Sequence, residues 1–262
     1  MNFWDTYLRV FGRPAFTPFH TTLLKVALRG LGFQSWWSPH VTGEAWLLRR
    51  LAQVAPEPTV VDVGANVGAY SRLVMDLAPR ARVLAIEPNP RSFALLQGLA
   101  SRCGFESLNV AVGRTPGEAT LYHQATDSTS PHASLHAAVA GKGLHVTSTT
   151  VPVQPLDHLI SNAGIRHVHL LKIDTEGSEL DALLGARRLI DAGRVDWIQF
   201  EFNTMNAAAR VYFEDFQAAL PGYRFHRLLA SGVMRVGDSP WTLPNLFMFQ
   251  NLLAVRPGAP AP

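Results

Sequence analysis

The chain has 262 residues, of which 47% are hydrophobic and 16% charged, and its formal net charge is +3. A chain this apolar with so little net charge is not intrinsically disordered, and it lacks the strongly basic balance of a dedicated nucleic-acid-binding protein. The length suits one domain with a sizeable core. No secretory signal or transmembrane-length apolar run is visible, and a single cysteine permits no intrachain disulfide, so we expect a cytoplasmic protein.

Residues 1–55 are rich in aromatic side chains and predict a helical extension ahead of the main domain. Apolar residues from Leu23 to Leu31 recur at helical spacing, which indicates an amphipathic helix. The first 50 residues also carry six Arg or Lys side chains against two acidic ones. We interpret the extension as a layer packed on the main domain, with a lid, a dimer arm or a peripheral membrane contact through residues 1–40 as alternatives.

Residues 56–255 alternate short apolar strands with helical segments, which predicts an α/β domain with a mostly parallel sheet and helices on both faces. An insertion at about residues 117–153 interrupts this alternation with the strands Gly117–Gln124 and Val146–Val153 and a long loop between them. Residues 256–262 are Pro-rich and are predicted to form a disordered tail. The other predicted strands are Thr59–Val63, Val83–Glu87, Ser107–Val112, Val168–Asp174 and Asp196–Phe202, and the predicted helices cover about 69–78, 91–102, 178–192 and 213–220.

A glycine-rich turn follows the first strand at residues 62–68 (DVGANVG). Glycines let the backbone approach a ligand closely, and the start of the next helix offers free N–H groups. About twenty residues later the second strand ends in Glu87, a carboxylate placed to accept both hydroxyls of a ribose. The two motifs together predict a site for a nucleoside-containing cofactor.

The residues of this turn distinguish between two nucleoside cofactors. The dinucleotide pattern G-x-G-x-x-G is broken because Asn66 occupies its second glycine position, where bare backbone should meet a pyrophosphate. Asp62 suits a positively charged methionyl group better than a pyrophosphate. S-adenosylmethionine therefore fits the turn best, with a nicotinamide-dependent oxidoreductase and a non-catalytic nucleoside-binding or membrane-peripheral protein as alternatives.

Four sequence blocks in order, DVGANVG, IEPNP, NVAVG and LKIDTEGSE, resemble the FkbM-type family of class I S-adenosylmethionine-dependent methyltransferases. The resemblance implies a Rossmann-like fold with a seven-stranded sheet. It also implies O-methylation of a hydroxyl on a sugar, glycan or natural-product intermediate. The cofactor residues that it implies are Asp62, Gly64, Ala65, Asn66 and Gly68 on the methionyl and ribose side, Glu87 at the ribose diol with Pro88 and Asn89 behind it, and Asn109 and Ala111 beside the adenine.

Methyl transfer to an alcohol needs an aligned acceptor and a group that takes its proton. Asp174 follows a buried strand at the carboxyl edge of the sheet and is the first candidate for this base or for orienting the acceptor, with Glu176 second. His132 and His136 in the long loop are further catalytic candidates, because residues four apart share a helix face. Glu179 is expected only to favour the start of the next helix.

A divalent metal ion is not expected as a cofactor. If one binds, Asp174, Glu176 and Glu201 would supply its oxygen ligands, because all three follow or end strands at the same edge of the sheet. No nucleic-acid partner is expected. The sequence leaves open the identity of the acceptor and whether the chain forms a homo-oligomer.

Overall fold

The computed structural model describes residues 2–124, 135 and 146–262, and it has the predicted α/β architecture. His132 and His136 lie outside the described residues. The strands are β1 (Thr59–Val63), β2 (Arg82–Ile86), β3 (Glu106–Leu108), β4 (Ala111–Val112), β5 (Gly117–Gln124), β6 (Val146–Gln154), β7 (Val168–Ile173), β8 (Val195–Phe202), β9 (Arg224–Leu229), β10 (Gly232–Arg235) and β11 (Gln250–Val255). The helices are α1 (Phe3–Phe11), α2 (Thr17–Gly30), α3 (Glu44–Val54), α4 (Ala69–Leu77), α5 (Pro90–Cys103), α6 (Leu156–Asn162), α7 (Glu179–Leu184), α8 (Arg187–Asp191), α9 (Thr204–Ala209) and α10 (Phe213–Ala219).

The main sheet has the strand order β10-β9-β11-β8-β7-β1-β2-β3. The five strands from β8 to β3 are parallel to one another, and β11, β9 and β10 add an antiparallel edge. The sheet has eight strands rather than the predicted seven, because the chain turns back directly after β9 to form the short β10. The insertion forms a separate three-stranded sheet in the order β4-β6-β5.

Apolar side chains cover both faces of the central strands, as a parallel sheet requires. On one face Val61 packs in a cluster with residues of α7, α8 and α10, such as Phe216. On the other face Val60 packs in a second cluster with residues of α3 and α4, including Leu47 and Val74. The alternation of neighbouring β1 residues between these clusters confirms helices on both faces of the sheet.

Two predicted elements are interrupted in the structure. The strand predicted at Ser107–Val112 is divided because the Asn109 side chain donates hydrogen bonds to the carbonyls of Glu87 and Pro88, and β3 and β4 then join different sheets. The helix predicted over 178–192 is divided into α7 and α8 near Gly185. There the chain approaches Gly113 so closely that a Cβ on Gly185 would lie 2.2 Å from the Gly113 carbonyl oxygen.

Residues 256–262 differ from the prediction of a disordered tail, because they are hydrogen-bonded to the domain. The Arg256 guanidinium lies 2.6 Å from a carboxylate oxygen of Asp196. The indole N–H of Trp197 donates to the Pro260 carbonyl at 2.9 Å, and Arg50 donates to the Ala261 carbonyl. The composition of the tail shows no apolar side chain large enough to bury, but its polar partners come from distant parts of the chain and are invisible in the local sequence.

The N-terminal extension consists of an inner part that packs on the domain and an outer part that does not. Leu47, Leu48 and Leu51 of α3 are fully buried against the sheet. In contrast, α1 has no buried residue, and in α2 only Leu28 is buried. Of the helices in the extension, α3 is therefore the one that packs on the main domain along its length. None of the helices in the described residues is long and apolar enough to cross a bilayer.

Candidate functional site

A cleft opens at the carboxyl ends of β1, β2 and β7, the edge at which open α/β sheets bind ligands. About 550 Å³ of space lies between its walls, part of which is open solvent. We call it the inner cleft. Its lining includes the predicted residues Gly64, Asn66, Glu87, Pro88, Ala111, Asp174 and Glu176, and also Val110, Val112, Leu121, Leu135, Thr175 and Ser178, which the sequence did not single out.

A second cleft, which we call the outer cleft, lies on the other side of the glycine-rich turn, toward α3 and α4. Charged side chains of both signs line it. Asn66 and Asp174 line both clefts, so the two clefts meet at these side chains. The other outer-cleft residues include Pro39, Glu44, Ala65, Tyr70, Arg72, Asp76 and Lys172.

Gly64 is the residue at which the glycine-rich turn leaves β1. Its φ is +79°, in the left-handed region that favours glycine, and its N–H donates to the Ile86 carbonyl. A Cβ at this position would lie 1.7 Å from the carbonyl oxygen of Asp174, far closer than two non-bonded atoms can approach. The close approach of β1 and β7 at the floor of the inner cleft therefore requires glycine.

We expect Gly64→Ala to lower the free energy of unfolding by about 3 kcal/mol, because it combines a backbone collision with an unfavourable φ. Gly98→Ala is the matched control, since Gly98 lies inside α5, where a Cβ meets only the end of the Arg102 side chain at 3.6 Å. The control should be neutral or stabilising by about 0.5 kcal/mol. Urea unfolding curves measure both changes, and an unchanged midpoint for Gly64→Ala would contradict the collision.

The Glu87 carboxylate joins the two backbone turns that border the inner cleft. One of its oxygens accepts the N–H of Asn66 at 2.8 Å, and the other accepts the N–H of Asn89 at 2.8 Å. Burial raises the pKa of Glu87 to about 7, although these two hydrogen bonds lower it. The side chain therefore stands at the cleft with two oriented oxygens whose ionisation falls near neutral pH.

A row of buried polar side chains crosses the central strands behind the clefts. Asp62, Lys172 and Gln199 are register partners on β1, β7 and β8, so their side chains share one face of the sheet. Gln199 accepts a hydrogen bond from the Tyr70 hydroxyl and donates one to Glu44. The Lys172 ammonium lies 3.9 Å from Asp62 and 4.9 Å from the centre of the Tyr70 ring.

The charges in this row depend on one another. Burial raises the pKa of Asp62 and of Glu44, and the nearby Lys172 ammonium opposes both shifts. Burial alone would lower the pKa of Lys172, but the negative charges of Asp174, Asp62 and Glu44 outweigh burial and raise it. Lys172 is thus a permanent cation that stabilises several carboxylates.

Asp174 and Glu201 lie two residues beyond Lys172 and Gln199, at the carboxyl edge of the same face. Lys172 donates to an Asp174 oxygen at 3.0 Å. Glu201 accepts a hydrogen bond from the Asn203 side chain. Burial, together with the charges of Asp174 and Glu176, raises the pKa of Glu201 well above its ordinary value. The edge therefore places a lysine-paired carboxylate beside a carboxyl group that holds its proton tightly.

Glu179 has a larger role than the predicted one of favouring a helix start. It is the first residue of α7, but its buried carboxylate accepts hydrogen bonds from the N–H groups of Thr175 and Gly177 and from the Asn206 amide. These bonds fix the loop that carries Glu176, a cleft residue with φ +52°. Glu179 is therefore a positioning residue for one wall of the inner cleft.

In the described part of the chain, one group of three possible metal ligands has its ligand atoms all within 4.8 Å of one another. It consists of His167, His169 and Asp196, not of the predicted carboxylates Asp174, Glu176 and Glu201. His167 and Arg256 both hydrogen-bond to Asp196. The Thr59 N–H donates to Nδ1 of His169 at 2.9 Å, so a neutral His169 carries its proton on Nε2 and offers no lone pair there. This cluster is explained by hydrogen bonding rather than by metal binding.

The comparison with protein families decides the class of this site. Residues 62–226 match the methyltransferase FkbM domain. The chain belongs to the FkbM methyltransferase family. The matched range begins at the glycine-rich turn and includes the strands β1, β2, β7 and β8 that form the inner cleft. Family membership does not favour the alternative of a nicotinamide-dependent oxidoreductase.

Curated relatives share this domain at low identity. The FkbM domain is similar to the 2-O-methyltransferase NoeI of Sinorhizobium fredii (22% identity; 55% of this chain and 64% of the relative). It is also similar to the hexuronic acid methyltransferase AglP of Haloferax volcanii (28% identity; 57% of this chain and 59% of the relative). The matches thus span less than two thirds of each relative. Among solved structures, the chain is similar to cofactor-bound Rv0187 from MTB (13% identity; 97% of each chain; TM-score 0.46).

The inner cleft of this FkbM domain fits the family's cofactor, S-adenosylmethionine. The side-chain oxygen of Asn66 is buried in the cleft wall and has no hydrogen-bond partner among the described residues, so it is available to a ligand. Glu87 offers carboxylate oxygens to ribose hydroxyls, and the apolar side chains of Val112 and Leu121 suit a flat base. Together these groups match the polar and apolar parts of an adenosine.

Several residues expected to touch the cofactor do not line the inner cleft. Asp62 is fully buried beneath the turn, and Ala65 lines the outer cleft instead. Gly68 and Asn89 cap the starts of α4 and α5. Asn109 binds the backbone after β2, as described above, rather than facing the cleft. These residues lie outside the lining of the inner cleft and contact the backbone segments that form it. Their contact with the cofactor stays a prediction.

We expect Lys172→Met to lower the free energy of unfolding by about 2 kcal/mol, because it leaves buried carboxylates without their cation. We expect a smaller loss of stability than the largest ones caused by breaking a buried ion pair. The reason is that burial raises the pKa of Asp62 and of Glu44, so these groups can take up a proton when the cation is removed. Lys25→Met, at an exposed lysine on α2, is the control and should leave stability unchanged. Equal urea midpoints for the two variants would show that the row is not coupled through charge.

Proposed function

We propose that this FkbM domain is an S-adenosylmethionine-dependent O-methyltransferase whose acceptor is a hydroxyl of a sugar, glycan or natural-product intermediate. Two relatives, a 2-O-methyltransferase and a hexuronic acid methyltransferase, support this acceptor class. The charged side chains in the lining of the outer cleft are consistent with a hydroxylated compound.

The observation that carries the proposal is the meeting of the two clefts at Asp174. The inner cleft takes the nucleoside end of the cofactor, and the outer cleft leaves a separate opening to the same point. Asn66 also lines both clefts, and its side-chain oxygen has no hydrogen-bond partner among the described residues. Two reactants can therefore meet at a carboxylate, which is the arrangement that transfer between them needs.

The bound cofactor supplies a methyl group on a positively charged sulfur, which is already activated for transfer. The protein has to align the acceptor oxygen and take its proton as the new C–O bond forms and the C–S bond breaks. We assign alignment to Asp174, whose charge Lys172 stabilises from behind. We assign the proton to Glu201, which lies beside Asp174 at the carboxyl edge of the same face of the sheet. Its raised pKa makes it a stronger base than an ordinary carboxylate once it is ionised.

The proposal is tested by incubating the protein with isotopically labelled S-adenosylmethionine and a panel of hydroxylated acceptors that includes neutral sugars, hexuronic acids and their glycosides. Mass spectrometry should show transfer of a single labelled methyl group to oxygen, with formation of S-adenosylhomocysteine. Blocking the acceptor hydroxyls by acetylation is the control and should prevent transfer. Transfer only to a nitrogen or carbon acceptor would overturn the O-methylation, and lack of S-adenosylhomocysteine binding by a folded protein would overturn the whole assignment.

A further inference from the structure

The outer part of the N-terminal extension exposes an unusual number of large apolar side chains. Monomeric proteins bury most side chains of this type, and a contiguous exposed group of them marks an interaction surface. Phe3 is 71% exposed, and the others are more than half exposed. We call this surface the N-terminal apolar face, and it consists of Phe3, Trp4, Leu8, Phe19, Leu23 and Val26.

The spacing of these residues gives each helix an apolar side. In α1, Phe3, Trp4 and Leu8 fall within one wide arc, opposite the polar residues of the helix. In α2, Phe19, Leu23 and Val26 recur at i, i+4 and i+7 and so lie in one row. Contacts between Tyr7 of α1 and the His20 ring of α2, with a hydrogen bond of 2.8 Å, hold the two helices together. The N-terminal apolar face therefore spans two helices that contact each other.

The segment that contains α1 and α2, residues 1–43, carries all of the net charge of the chain. Residues 1–43 contain four cations (Arg9, Arg13, Lys25 and Arg29) and one acidic side chain, Asp5. No ion pair within the described residues engages any of the four cations. Apolar and aromatic side chains beside unpaired Lys and Arg are the composition of helices that lie in the interface of an anionic bilayer.

We infer that α1 and α2 dock this protein on the surface of a membrane that contains anionic lipids. The apolar face enters the acyl boundary, and the four cations meet lipid phosphates and carboxylates. The charge argues against a second copy of the chain as the occupant. A two-fold dimer through this face would bring the cations of both copies together at one interface, where like charges repel.

The position of this surface in the chain links it to the functional site. After α2 the chain passes through Trp36 and Trp37, both of which remain mostly exposed, and then reaches Pro39 and Glu44 in the outer cleft. Trp side chains favour the level of the lipid headgroups. Docking through α1 and α2 would therefore hold the outer cleft near the membrane surface.

Co-sedimentation with vesicles tests this inference on the full chain. The protein should pellet with phosphatidylcholine vesicles that contain phosphatidylglycerol, and much less with phosphatidylcholine alone. Added salt should weaken the binding, because it screens exposed charges. The double variant Arg9→Gln/Lys25→Gln should bind the anionic vesicles roughly fivefold more weakly for each charge removed. The triple variant Phe19→Ser/Leu23→Ser/Val26→Ser should lose binding by at least about tenfold.

Leu95→Ser is the matched control and should not alter vesicle binding. Leu95 is 54% exposed on α5, which packs beside β3 at one edge of the main sheet, whereas the end of α2 contacts Arg227 of β9 near the opposite edge. Equal binding of wild type and the triple variant, or no binding of the folded wild type, would overturn the inference. It would also be overturned by sedimentation velocity that shows a dimer which the triple variant converts to a monomer. Calorimetric binding of S-adenosylhomocysteine should be the same in all of these variants, so failure of docking is distinguishable from failure of the proposed methyl transfer.

Discussion

Replacing Glu87 with alanine is expected to weaken the binding of S-adenosylhomocysteine about 10³-fold, because the cleft loses two charged acceptors for the ribose hydroxyls. The same change releases the N–H groups of Asn66 and Asn89, which the carboxylate now holds in place at 2.8 Å. Isothermal titration calorimetry on the folded variant measures the loss. Glu57→Ala removes an exposed carboxylate elsewhere on the surface and should leave the affinity unchanged.

The pH dependence of S-adenosylhomocysteine binding shows whether the negative charge of Glu87, and not only the size and shape of its side chain, is needed. The pKa of Glu87 is about 7 in the unliganded protein because of burial, and hydroxyl donors favour its ionised form. Binding below that pKa must remove a proton, so affinity should fall by about tenfold for each pH unit below 7. Glu87→Gln should bind weakly and show no such dependence. A wild-type affinity that is constant from about pH 5.5 to 7 would contradict this assignment.

The predicted site residues that line the inner cleft were inferred from short stretches of chain. Gly64 is predicted from the glycine-rich turn after a buried strand, where glycine lets the backbone approach a ligand closely. The structure adds that its φ is +79°. Glu87 was identified because an acidic residue directly after the second strand lies at the same sheet edge. Both lie in the inner cleft. A strand, a turn and the start of a helix are fixed by neighbouring residues, so their pattern is visible in one sequence.

The buried row could not be predicted, because it depends on the register of three strands and on where α3 packs. Lys172 and Gln199 lie within apolar strands, and this is the one local sign that they need buried partners. Which partners they have follows only once Asp62, Lys172 and Gln199 are aligned across the sheet. Glu44 reaches Gln199 over a separation of 155 residues, which no local pattern encodes.

The roles of Asn109 and Glu179 show a second limit of sequence reasoning. Each side chain lies in the region where it was expected, but it faces the backbone rather than a ligand or solvent. Asn109 binds the carbonyl groups after β2, and Glu179 binds the N–H groups of the loop after β7. Buried carbonyl and N–H groups in a cleft wall need partners, and short polar side chains supply them. Residue type alone does not distinguish this role from cofactor binding.

Asp174→Asn is expected to lower the rate of methyl transfer about 10³-fold, because the acceptor hydroxyl loses a charged partner at the meeting point of the two clefts. The affinity for S-adenosylhomocysteine should change by less than about threefold, since the Asp174 backbone, which donates to the Val63 carbonyl, is retained. Initial rates with the acceptor found by the labelled-methyl assay give the first value, and calorimetry gives the second. Asp191→Asn, at an exposed carboxylate paired with Arg187, is the control and should keep full activity.

The pH profile of transfer distinguishes alignment by Asp174 from proton removal by Glu201. The pKa of Glu201 is raised by burial and by its acidic neighbours, so the wild-type rate should increase with pH as Glu201 loses its proton. With saturating S-adenosylmethionine, the pH dependence of cofactor binding through Glu87 does not contribute to the rate. Under that condition Glu201→Gln should be slow and should lack this increase, whereas Asp174→Asn should be slow but still show it. If Asp174→Asn alone removes the increase, Asp174 is the base and Glu201 positions it. If neither variant slows transfer, the reacting centre does not lie at this edge of the sheet.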